Sequence, residues 1–169
     1  MREIAIPDEE RWLHGDAWWR KHGSNRLLPC PAVAIQRTRI SAGGFEFDAL
    51  AAGPKSGELV LLLHGFPQTS ACWRDALSSL AGVGYRAVAP DQRGYSLGAR
   101  PEGVDAYRIR ELCDDVLDIA RALQAERFHL IGFSFGGYVS LALLERHPAR
   151  LESLVMVSSA GLDRPSVAP

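Results

Sequence analysis

The hydrophobic pattern of the chain changes near residue 33, and the fold is legible mainly beyond that point. Residues 1–30 mix Trp12, Trp18 and Trp19 with many charges. They are expected to form an accessory N-terminal extension; the alternative is a helix over 8–21 whose aromatic patch covers apolar surface elsewhere. Residues 33–40 and 45–50 then alternate as two strands, joined by Ser41-Ala42-Gly43-Gly44, a hairpin turn signal. The next run is apolar throughout from Leu59 to Leu63, as suits a parallel strand covered on both faces. A helix is expected over 71–80 and a strand over 85–89, ending at Pro90-Asp91. In 108–124, Ile109, Leu112, Cys113, Val116, Ile119, Ala120 and Leu123 recur at helical spacing with acidic residues between them. A strand over 128–131, a helix over 135–147 stopped by Pro148, and a strand over 154–157 complete the pattern. A hairpin followed by alternating strands and helices predicts an α/β fold. Its sheet is mostly parallel and doubly wound, with an antiparallel hairpin at the N-terminal side. Residues 31–161 form the core in this reading, and 162–169 a linker-like tail.

Composition narrows the function more than the fold. The 169 residues suffice for one domain with a sizeable core. A formal net charge of −1 supplies no attraction for nucleic acid or an anionic membrane. There is no run of about 18 apolar residues to suggest a membrane span, and the first residues lack the apolar stretch of a signal peptide. Cys30, Cys72 and Cys113 are far apart and not in C-x-x-C, so buried thiols in a reducing, cytoplasmic setting are expected. Gly82-Val83-Gly84-Tyr85-Arg86-Ala87 fits a dinucleotide-binding string but precedes a strand instead of following one. No P-loop or metal-ligand spacing occurs, so neither cofactor nor metal is expected, and the partner is a small-molecule substrate.

Chemistry concentrates at Gly132-Phe133-Ser134-Phe135-Gly136-Gly137, between the strand over 128–131 and the following helix. A G-x-S-x-G turn in that setting lifts a serine hydroxyl clear of the sheet. A serine nucleophile needs exposure, a base and donors for the developing oxyanion. Gly132 and Gly136 leave room where strand and helix cross, and the helix N-terminus aims backbone N–H groups at the site. A second motif, His64-Gly65-Phe66-Pro67, ends the central apolar strand. The Phe66 and Phe135 N–H groups are the candidate oxyanion donors. His64 and Gly65 are read as supporting residues of that loop, since a base must reach the nucleophile directly or through one water.

Leu62-Leu63-His64-Gly65-Phe66-Pro67, then Asp91-Gln92-Arg93-Gly94-Tyr95-Ser96, then the Ser134 turn resemble the α/β-hydrolase superfamily. The likeness is nearest to its epoxide hydrolase and haloalkane dehalogenase branch and covers about residues 35–160. It implies Ser134 as nucleophile, Phe66 and Phe135 as oxyanion donors, and a structural role for the turn from Asp91 to Ser96. Two departures qualify it. That branch carries an aspartate at the elbow, usually in G-H-D-W-G-G, whereas a serine suits acyl transfer from an ester-like substrate. Family members also continue with a cap, two more strands, an acid and a histidine, and no histidine follows His147 here. The expectation is a serine hydrolase core, incomplete and weakly active or inactive alone. A non-catalytic assembly module and an epoxide hydrolase-like protein with a replaced nucleophile are the alternatives. Without the further strands, Leu154, Val155, Met156 and Val157 would form a bare sheet edge. Such an edge invites self-association or a complementary chain.

Overall fold

A computed structural model describes residues 33–159, which lie within one compact unit of the chain. The extension over 1–30, with its alternative helix over 8–21, and the tail over 162–169 fall outside the described residues. Six strands build one sheet: β1 (Gln36–Ala42), β2 (Phe45–Ala52), β3 (Leu59–Leu63), β4 (Arg86–Pro90), β5 (Phe128–Phe133) and β6 (Leu151–Val157). Among the described residues, three α-helices connect the parallel strands: α1 (Arg74–Gly82), α2 (Ile109–Ala122) and α3 (Phe135–Arg146). The strand order is β1-β2-β4-β3-β5-β6. Strands β4, β3, β5 and β6 run parallel, and β1 and β2 pair antiparallel at one side. This is the mostly parallel, doubly wound sheet with an antiparallel hairpin that the alternation predicts.

The central strand shows why its sequence is apolar at every position. Leu59, Leu61 and Leu63 face one core cluster with Leu112, Val116 and Ile119 of α2 and Val139 and Leu143 of α3. Val60 and Leu62 face the opposite cluster with Leu77 and Ala81 of α1. A strand covered on both faces loses the alternation that marks a half-exposed one.

Element boundaries moved by a few residues. β1 begins at Gln36 and runs through Ala42, so the hairpin turn is Gly43–Gly44, both at positive φ. The cross-strand ladder from Ser41 and Ala42 to Glu46 and Phe45 overrode their turn propensity. The segment expected as one helix over 71–80 opens with a 3-10 turn, Ser70–Trp73, before α1 begins at Arg74. β6 starts three residues earlier than its apolar run, because Leu151 and Ser153 pair with β5. Expected burial of the cysteines holds for Cys113 alone of the described two. Cys72 is exposed on the 3-10 turn, while burial pushes the Cys113 thiol up to about 11.

Candidate active site

The winding of the sheet reverses at β3, because β4 lies on one side of it and β5 on the other. In such sheets the crevice at the carboxyl ends of the two strands flanking the reversal is the natural ligand site. There β3 runs into His64-Gly65-Phe66-Pro67 and β5 runs into Ser134, so both motifs meet at one place. A Cβ placed on Gly65 would stand 3.0 Å from the Ser134 Cβ and 2.9 Å from the Phe133 ring. Glycine at 65 is what allows the loop to lie against the serine.

Ser134 itself is the N-cap of α3 and carries φ +51° and ψ −112°. A positive φ in a residue with a Cβ is strained, of order 1–3 kcal/mol. The turn is held from both sides. The Ser134 N–H donates to the Val157 carbonyl of β6 at 3.0 Å, and the Ser134 carbonyl accepts from the N–H groups of Gly137 and Tyr138. Close crossing requires the flanking glycines. A Cβ on Gly132 would stand 2.5 Å from the Gly136 carbonyl oxygen, and one on Gly136 would run into the main chain of Leu63 and His64. At the start of α3 the Phe135 and Gly136 N–H groups have no carbonyl one turn earlier to bond, as at any helix start. Phe66 and Phe135 both line an open hollow of about 520 Å³, half of whose lining residues are aromatic, shared with Pro67, Arg93, Gly94, Tyr95, Tyr107 and Leu112. A second hollow of about 540 Å³, between Arg121, Gln124, Arg127 and Arg150, lies at the other end of the sheet, away from Ser134.

His64 is wholly buried and both ring nitrogens are occupied. Nδ1–H donates to the Gly65 carbonyl at 2.9 Å, and Nε2 accepts the Gln92 N–H at 3.0 Å. Those bonds require the neutral ring with its proton on Nδ1. Burial holds its pKa below 6.5, against opposing pulls from the Gly65 bond and the Asp91 charge. The unfolded chain therefore takes up a proton near pH 6.5 that the fold resists. Stability from this residue is complete above that pH and is lost as pH falls toward the depressed folded value. The urea midpoint should drop between pH 7.5 and 5.5, and His64→Asn should flatten that slope while lowering the midpoint at pH 7.5.

The turn from Asp91 to Ser96 is a bracket around this loop. The Asp91 carboxylate accepts the Ser70 N–H at 2.6 Å, and the Gln92 side chain donates to the His64 carbonyl at 2.7 Å. Ser96 accepts the Asp48 N–H and donates to the Asp91 carbonyl, tying the turn to β2. Gly94 takes φ +89°, and the Tyr95 ring stands edge-on to His64 at 4.6 Å. Arg93 reaches inward: its Nε and Nη2 pair with both carboxylate oxygens of Asp115 on α2, at 2.7 and 2.6 Å. Its Nη1 donates to the Ala106 carbonyl, and the guanidinium lies 4.6 Å from the Phe45 ring centre. Both partners are buried. The Asp115 bonds hold the Arg93 pKa further up; burial pushes the Asp115 carboxyl up while Arg93 opposes it. Sequence reasoning missed this pair. Its one local signal is that Asp115 lies three residues after Leu112 and four before Ile119, on the apolar stripe of α2.

The remaining described histidines lie elsewhere. His129 is the second residue of β5, at the far end of that strand from Ser134. His147 caps the C-terminal end of α3, so a 12-residue helix separates it from Ser134, about 18 Å along the axis.

A strand-to-helix turn with positive φ at its serine, beside a glycine loop at the switch point of a doubly wound sheet, defines an α/β-hydrolase-type site. The sequence profile of the alpha/beta hydrolase fold matches residues 58–169, and the chain belongs to that family. It is 39% identical over 119 residues to the AB hydrolase superfamily protein YfhM of Bacillus subtilis, covering 70% of this chain and 42% of the relative. It is 38% identical to epoxide hydrolase B of Mycobacterium tuberculosis, covering 70% of this chain and 34% of that protein. Among solved structures, epoxide hydrolase from Vigna radiata superposes with a TM-score of 0.72 at 31% identity, over 80% of this chain and 44% of the other. The chain thus spans about two fifths of the length of the curated relatives it matches.

Proposed function

We propose that Ser134 is the nucleophile of an ester-hydrolysing member of this family, acting through an acyl-enzyme. The Phe66 and Phe135 N–H groups would bind the oxyanion. The observation that carries the reading is the strained Ser134 backbone, φ +51°, pressed against Gly65, with the next residue of each motif, Phe135 and Phe66, lining one hollow. Strain of this kind persists where the surrounding structure holds a reactive group in place. His64 is committed to the loop and His129 and His147 stand at other ends of their elements. The base of a triad would therefore come from outside the described residues. The 169-residue chain alone should turn over esters weakly.

Relatives support both the carbonyl reading and a competing one. RutD of Variovorax paradoxus, whose name assigns it provisionally to carbamate hydrolysis, is 42% identical over 108 residues. Carbamate cleavage is attack on a carbonyl carbon, which suits a serine. The epoxide hydrolases favour the alternative, in which Ser134 replaces a carboxylate that once attacked an epoxide carbon. Comparing an aryl ester with an aryl epoxide separates the two. Ester turnover without epoxide opening is expected. Epoxide opening by the unsubstituted protein, or its appearance on Ser134→Asp with no ester turnover before it, would refute the ester reading.

The assembly reading rests on β6. Among the described residues it pairs with β5 alone, and Val155 and Val157 on it are 48% and 40% exposed. Unpaired apolar edges template pairing with another chain. Light scattering at tens of micromolar should show self-association that Val155→Lys reduces, and a clean monomer would exclude it.

A further inference from the structure

Away from the elbow, where no described histidine meets the serine, the Ser153 hydroxyl does meet a histidine. Ser153 Oγ lies 2.8 Å from His129 Nδ1, and His129 Nε2 lies 3.2 Å from Glu58 Oε2. One tautomer satisfies both contacts. Nδ1 accepts the Ser153 O–H, and Nε2–H is donated to the Glu58 carboxylate. We propose that Ser153, His129 and Glu58 form a second acyl-accepting site, at which small activated esters acylate Ser153.

The arrangement follows from strand register. His129 on β5 stands opposite Val60 on β3 and opposite Ser153 on β6. Glu58 immediately precedes β3, and its carboxylate reaches across to the His129 ring. Between Phe128 and His129 the β5–β6 register shifts: Phe128 faces Leu151, and the next partner of β5 is Ser153. That irregularity leaves Glu152 without an opposite residue and brings Ser153 beside His129. The Tyr85 ring packs edge-on against the imidazole at 5.5 Å and limits its rotation. Nucleophile and base are thus on two adjacent strands, and the base-orienting carboxylate sits at the residue just before β3, with the contacts that activate a serine.

Exposure decides the substrate class. Ser153 is exposed, and the Glu58 and His129 side chains are 76% and 22% exposed. An open site offers little binding energy, so the ester must bring its own reactivity. An aryl ester does, because a phenoxide leaves without being protonated. In the step, Ser153 Oγ bonds to the ester carbonyl carbon as its proton passes to His129 Nδ1. The bond from that carbon to the aryl oxygen breaks, and the phenoxide departs with the electron pair. The imidazolium, paired with Glu58 through Nε2–H, then loses its proton to solvent. Acyl-Ser153 remains until water cleaves it, so a burst of phenoxide followed by slow release is expected. The site is independent of Ser134, which lies five residues further along the same strand line, about 16 Å away.

The experiment incubates the 169-residue chain with p-nitrophenyl acetate and maps the acetylated peptides by mass spectrometry. Acetyl on Ser153 is expected in the unsubstituted chain and equally in Ser134→Ala, so the outcome is separate from the fate of the Ser134 reading. His129→Phe should lower the rate of Ser153 acetylation by about tenfold or more. Glu58→Gln, at an exposed position, should lower it less. Circular dichroism confirms that each variant is folded, and if His129→Phe is not, Glu58→Gln decides. Absence of acetyl on Ser153, or an undiminished rate in the folded variants, overturns the proposal.

Discussion

Ser134→Ala should lower kcat/KM for an aryl ester by roughly 10⁴-fold or more in a polypeptide that supplies the triad base. The size of the loss follows from what the serine does. Without its Oγ no acyl-enzyme forms, and only oxyanion binding and substrate positioning remain, which retain some 10³–10⁴ over the reaction in water. In the 169-residue chain the same substitution should change little, because no described histidine reaches the Ser134 hydroxyl. The contrast between the two polypeptides is the informative measurement. A large Ser134-dependent rate in the 169-residue chain would mean that a base lies closer to the elbow than His64, His129 or His147. Stability should not fall, and the strained φ of +51° makes Ser134→Gly mildly stabilising.

Asp115→Ala should cost about 3–5 kcal/mol of folding stability, read as a shift in the urea midpoint. The reason is the charge left behind. Arg93 is buried, and Asp115 accepts two of its hydrogen bonds. Without the carboxylate, Arg93 keeps, among the described residues, the Ala106 carbonyl and the Phe45 ring as direct partners. Domains of this size hold about 5–15 kcal/mol in total, so the variant approaches the folding threshold. Asp115→Asn, which keeps an acceptor oxygen, should lose less. Arg93→Met combined with Asp115→Leu should recover much of the loss, since a buried pair is replaced more cheaply than it is broken. A double variant no better than Asp115→Ala would show that Arg93 matters chiefly as a brace for the turn at Asp91–Ser96. The consequence would reach the site, because Gly94 and Tyr95 line the same hollow as Phe66 and Phe135.

The pattern of the chain was sufficient for the parts of this protein that depend on local chemistry. The uninterrupted apolar run at Leu59–Leu63 marked the central strand, because a strand buried on both faces has no polar side to show. Helical spacing from Ile109 to Leu123 marked α2, and the glycines around Ser134 marked a turn that only small neighbours permit. Those are rules about residues a few positions apart, and they carry the fold class and the elbow. Pairings between distant positions were decided by the tertiary structure alone. Asp115 is one acid among several on α2 until the sheet brings Arg93 beside it, and His64 has no assignable partner until Gln92 closes on its ring. The Ser153–His129–Glu58 contact joins residues 24 and 71 positions apart and exists only because of one register shift between β5 and β6. Hydrogen bonds act over about 3 Å, and a sequence records order along the chain, so which polar groups meet is set by how the strands are aligned.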